Sequence, residues 1–90
     1  MHEQSLMQDL VHKAESVVRA AGGTGASRVM VRRGALSHMS PEHLEDHFAR
    51  IVAGTLLTGA RLEIEDDHDI TNPGAMDLVL AAVDVVGGES

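Results

Sequence analysis

Between Gln4 and Val86 the spacing of apolar side chains switches between a helical period and a strand period, and that switching dictates the order of elements. Over residues 4–21, Leu6, Leu10, Ala14, Val17 and Ala21 recur at three or four, widened by Met7, Val11 and Val18, which predicts an amphipathic helix. His12 falls on its wet side. Gly22-Gly23-Thr24-Gly25 ends it, because glycine accepts the left-handed backbone that a helix C-terminus adopts. Residues 27–33 alternate as a strand, with Val29 and Val31 on one side and Met30 and Arg32 on the other. Ser40-Pro41-Glu42 opens a second helix: Ser40 accepts from orphan amides, Pro41 suits the first position, and Glu42 and Glu45 complement the positive helix end. Its buried stripe is Leu44, Phe48, Ile51, Val52 and Leu56. Gly54 falls inside this helix, which implies a close contact, and Gly59 terminates it. Residues 61–65 alternate again, with Leu62 and Ile64 inward. Asp66 to Gly74 is turn chemistry, and Met76 to Val86 forms a last strand. In that strand Leu78 and Leu80 lie on one face and Val79, Ala81, Val83 and Val85 on the other, as in a central strand or one whose second face meets a partner.

The order α-β-α-β-β predicts an α+β fold with two helices on one face of a three-stranded mixed sheet, and 1–90 as a single domain. Phe48 is the only aromatic residue, so the core must be aliphatic and bases find no stacking platform. The formal charge of −7 opposes a phosphate backbone, which argues against nucleic acid and suits cations or basic partners. With no cysteine there is neither disulfide nor thiolate zinc site. No apolar run is long enough to span a membrane and no secretory signal is visible, so a cytoplasmic location is expected.

Three constellations carry possible metal chemistry. The Met1 amine, the amide nitrogen joining Met1 to His2, and the His2 imidazole can close fused chelate rings around one ion, with Glu3 supplying a fourth donor through its carboxylate or amide. Such a nitrogen-rich planar set favours Ni(II) or Cu(II) over Zn(II). His43 and His47 are four apart on the second helix, a spacing that can put two imidazoles on one metal, but no third ligand stands at a telling distance, and a solvated face is the better account. The run Glu63, Glu65, Asp66, Asp67, His68, Asp69 lacks the order of a calcium loop and reads as charge that discourages pairing at a sheet edge. The serines lack a nucleophile elbow, and the glycine run follows a helix instead of preceding one, so an enzyme is not expected.

Met1-His2-Glu3-x-Ser5-Leu6, Gly34-Ala35-Leu36-Ser37, Pro41-Glu42-x-Leu44 with Phe48, Gly59-Ala60-x-Leu62-x-Ile64-Glu65 and Val83-Asp84-Val85 together resemble the HypA-type nickel-insertion proteins of hydrogenase maturation. The resemblance implies the same α-β-α-β-β scaffold, one Ni(II) held at His2 with Met1 and Glu3 assisting, and onward passage to a hydrogenase large subunit with a GTPase partner. It also implies a departure: the family's two Cys-x-x-Cys pairs, a structural zinc module between the last two strands, are missing, and residues 66–75 form a plain turn in their place. No structural zinc is therefore expected in this shortened relative. Gln4 and Arg33 depart at positions commonly apolar in the family. The leading expectation is a nickel metallochaperone. The alternative is a degenerate paralogue serving as a protein-interaction scaffold, with a homodimer left open. A copper or general cation buffer is a third reading.

Overall fold

The computed structural model describes residues 3–34, 40–67 and 78–87, with side chains from Leu6 onward in the first helix. The element order is α1 (Glu3–Ala20), β1 (Gly25–Arg33), α2 (Pro41–Val52), β2 (Arg61–Asp66) and β3 (Leu78–Val86). Both helices and the mixed sheet are those expected. The strand order is β2-β1-β3, with β1 parallel to β2 and antiparallel to β3. The centre is therefore β1. The apolar character of β3, which suggested a central strand, belongs to an edge strand instead.

Side-chain facing in β3 also differs from simple alternation. Met30 pairs with Ala82 and Val31 with Leu80, so Ala81 is an extra residue on β3. That bulge reverses the parity of the strand. Leu78 and Leu80 face the core before it, and Val83 and Val85 face the same core after it. A second irregularity lies at Ser27, since Ala26 pairs with Val85 and Arg28 with Asp84. It lets Ala26 share the buried face with Val29 and Val31 despite the change from even to odd numbers.

The core is aliphatic around one ring. Met7, Leu10, Val11, Ala14 and Val18 of α1 meet Val29 and Val31 of the sheet and Leu44, Phe48 and Val52 of α2. The α1 stripe is rotated from its expected centre: Val17 is 41% exposed, and Ala21 is exposed beyond the helix end. Two hydrogen bonds close α1, from the Gly23 amide to the Val18 carbonyl (2.9 Å) and from the Gly22 amide to the Arg19 carbonyl (3.0 Å), with Gly22 at φ +73°. This is the paired six-to-one and five-to-two closure that glycine favours.

The second helix ends sooner than the spacing implied. Its last residue is Val52, and Gly54 lies beyond it at φ +80° with open space where a Cβ would stand. Gly54 thus answers a backbone requirement and not a close contact. The Val52 carbonyl accepts from the Thr55 hydroxyl at 2.6 Å and the Thr58 hydroxyl at 3.0 Å. The chain turns there, and this swings Leu57 into the core, fully buried, while Leu56 is only half-buried.

Candidate metal-binding region

At its N-terminus α2 is held by Ser40. The hydroxyl accepts from the His43 amide at 3.2 Å, and the Ser40 carbonyl accepts from the Leu44 amide at 3.0 Å. Pro41 takes the first position, as expected. On the next turn His47 lies beside His43, with ring centroids 6.3 Å apart and planes tilted by 55°. His43 is exposed and His47 half-buried, because their row flanks the buried Leu44–Phe48–Val52 stripe. In the adjoining row Asp46 is paired with Arg50. Among the described residues no group of three or more His, Asp or Glu is placed to hold one ion.

Of the expected N-terminal donors, Met1 and His2 lie outside the described residues. Glu3 is the first residue of α1, and its side chain also lies outside them. One turn on, Leu6, Asp9, Leu10 and Lys13 face Leu78, Val79 and Leu80 of β3 across an open groove. Asp9 and Lys13 pair at 3.1 Å on its rim.

The acidic run has counter-ions that sequence alone did not disclose. On the sheet face opposite the helices, Arg28 of β1 reaches Asp84 of β3 at 2.8 Å and Glu63 of β2 at 3.1 Å, tying all three strands. Arg32 pairs with Glu65 at 3.3 Å and Arg33 with Asp66 at 2.8 Å. Asp84 first, and then Glu63, raise the Arg28 pKa further above its ordinary value. The parallel register of β1 on β2 sets most of this ladder, by placing Arg32 opposite Glu65 and Arg33 opposite Asp66. These carboxylates serve the sheet. The Asp67 amide donates to the Arg33 carbonyl at 2.9 Å, and the last two members of the run, His68 and Asp69, lie outside the described residues.

A family model described as "Hydrogenase/urease nickel incorporation, metallochaperone, hypA" matches residues 1–71, most of the chain and the whole of the N-terminal tripeptide. The chain belongs to the HypA family. The hydrogenase maturation factor HypA of Deinococcus radiodurans is 43% identical over 65 residues, covering 72% of this chain and 54% of that protein. Its counterpart in Chlorobium limicola is 36% identical over 75 residues, covering 83% of this chain and 65% of that protein. The chain thus spans little more than half the length of HypA relatives such as those of Deinococcus radiodurans, Bradyrhizobium and Methylocella silvestris. A solution structure described as the Ni metallochaperone HypA from Helicobacter pylori superposes with a TM-score of 0.79 at 17% identity, covering 97% of this chain and 99% of that one. At that identity the likeness establishes the shared HypA fold, with two helices on a three-stranded mixed sheet.

Proposed function

We propose that this chain is a nickel metallochaperone that binds one Ni(II) through the Met1 amine, the backbone nitrogen and imidazole of His2, and Glu3, and delivers it during hydrogenase maturation. The observation that carries the reading is the family match, which begins at residue 1 and so includes the whole donor set. The start of α1 supports it physically. The first amides of a helix have no intrahelical acceptor, so the Glu3 amide can be given up to a metal without breaking the ladder. The positive end of the helix dipole also favours a deprotonated, anionic backbone nitrogen at that position.

The reading is of a carrier and not a catalyst. Residues 1–90 act as one domain in the cytoplasm, the ion is handed to a hydrogenase large subunit with a maturation GTPase, and no structural zinc is required, because a chain without cysteine offers no thiolate cage. The test is calorimetric titration of untagged protein with Ni(II), alongside the visible spectrum. A single tight planar complex in the parent, lost in His2→Ala with an unchanged far-UV spectrum, is the expected result. Tight planar binding that survives His2→Ala would refute the site.

A second reading is a protein-interaction scaffold that no longer moves metal. It is favoured by β3, whose Val79 and Val86 are 48% and 43% exposed. Hydrogenase activity in cells that is indifferent to His2→Ala, with the set of bound partners also unchanged, would support it over the carrier.

A further inference from the structure

We propose that His43 and His47 of α2 form a second divalent-ion site, a two-imidazole chelate completed by water, separate from the N-terminal tripeptide. Two features carry it. The residues stand one turn apart on a helix with a fixed start, and their rings already share one side of it at 6.3 Å between centroids. Two nitrogens bound to one ion at about 2.0–2.1 Å lie about 3 to 4 Å apart. Histidines four apart on one helix face supply two ligands to a single ion in the His-x-x-x-His pairs of zinc proteases, so the spacing itself meets that requirement. The Ser40 cap fixes the start of α2, so the backbone that carries both rings is already ordered before chelation.

Charge decides the sign of the background. A cation near a helix N-terminus meets an unfavourable dipole. Glu42 and Glu45 lie in the same first turns, both exposed, and offset it. Asp46 is committed to Arg50 and is not needed as a ligand. With two protein nitrogens and open positions for water, the site suits Ni(II), Cu(II) or Zn(II) and excludes the hard, oxygen-seeking Ca(II) and Mg(II). Its ion is held loosely and exchanges readily, in contrast to a closed four-nitrogen cage.

The experiment compares four untagged proteins by calorimetry with nickel chloride: the parent, His2→Ala, His43→Gln/His47→Gln, and the triple variant. Proton NMR accompanies it, because water-coordinated six-coordinate Ni(II) is paramagnetic and the planar complex is not. The expected result is weak binding in His2→Ala with line broadening centred on α2, and loss of both signals in the triple variant. The double variant should keep the tight planar complex alone. Absence of binding in His2→Ala overturns the site, whatever the parent does. Equal binding in His2→Ala and the triple variant overturns it too, by assigning the ion elsewhere. Far-UV spectra of the glutamine variants verify that α2 remains folded.

Discussion

Deleting Ala81 tests whether one extra residue sets the facing of half a strand. In the parent, the bulge allows Leu78 and Leu80 to share the core face with Val83 and Val85. Without it the alternation becomes strict, and residues 78–80 turn over relative to the rest of β3. Leu78, 8% exposed, would lose nearly all of its burial, and half-buried Leu80 part of its own. At ~1.5–3 kcal/mol for a fully buried aliphatic side chain, these losses come to about 3 kcal/mol. Val79, now 48% exposed, would turn inward and return about 1 kcal/mol. The net cost of about 2 kcal/mol corresponds to a fall of roughly 8–16 °C in Tm for a domain of this size. Thermal unfolding followed by circular dichroism measures it, with Ala81→Ser as a control that keeps the bulge and should stay within about 0.5 kcal/mol of the parent. A cycle with Leu78→Ala sharpens the test. That substitution should cost about 2–3 kcal/mol in the parent and almost nothing once the deletion has exposed Leu78. A deletion within about 0.5 kcal/mol of the parent, or additive effects in the cycle, would refute the parity argument.

Three further outcomes follow from the packing and charge. Phe48→Ala removes the only ring in the core and should cost about 3–5 kcal/mol by urea denaturation, a large share of the stability of a small domain. Gly23→Ala should destabilise by about 1–3 kcal/mol in the same assay, since its Cβ would meet the Val85 side chain and stand 3.0 Å from the Val86 carbonyl oxygen, which cannot step aside. Arg28→Gln should lower Tm by an amount that shrinks as salt is raised from about 0.05 to 0.5 M, because its pairs with Asp84 and Glu63 lie on an open sheet face. The raised Arg28 pKa adds no pH dependence near neutrality: its contribution is fully present below the unfolded value and is lost only as pH rises through a folded value above the ordinary arginine range.

Much of the architecture was legible because local patterns and the core agreed. The Ser40-Pro41 start, the Gly22-Gly23 stop, the Val29/Val31 face and the Leu62/Ile64 face all follow from capping chemistry and strand period, which need no distant partner. The proposed donor set at Met1, His2 and Glu3 was read from consecutive residues alone, and it rests on that reading and the family match.

Other features depended on what lay opposite. That Val17 turns outward and Leu57 inward depends on where α1 rests on the sheet and on where threonine hydroxyls stop α2. Strand order is likewise nonlocal: β1 took the centre because it alone pairs with both neighbours, leaving an apolar β3 at the edge. The bulges at Ser27 and Ala81 are properties of a pair of strands, invisible in either one alone. The same register brought Arg28 between carboxylates that are 35 and 56 residues away along the chain. The amino-acid order thus settled which segments coil and which extend, because those depend on near neighbours. Facing, strand order and ion pairing waited for the folded chain, because each is decided by a partner brought close only when the sheet forms.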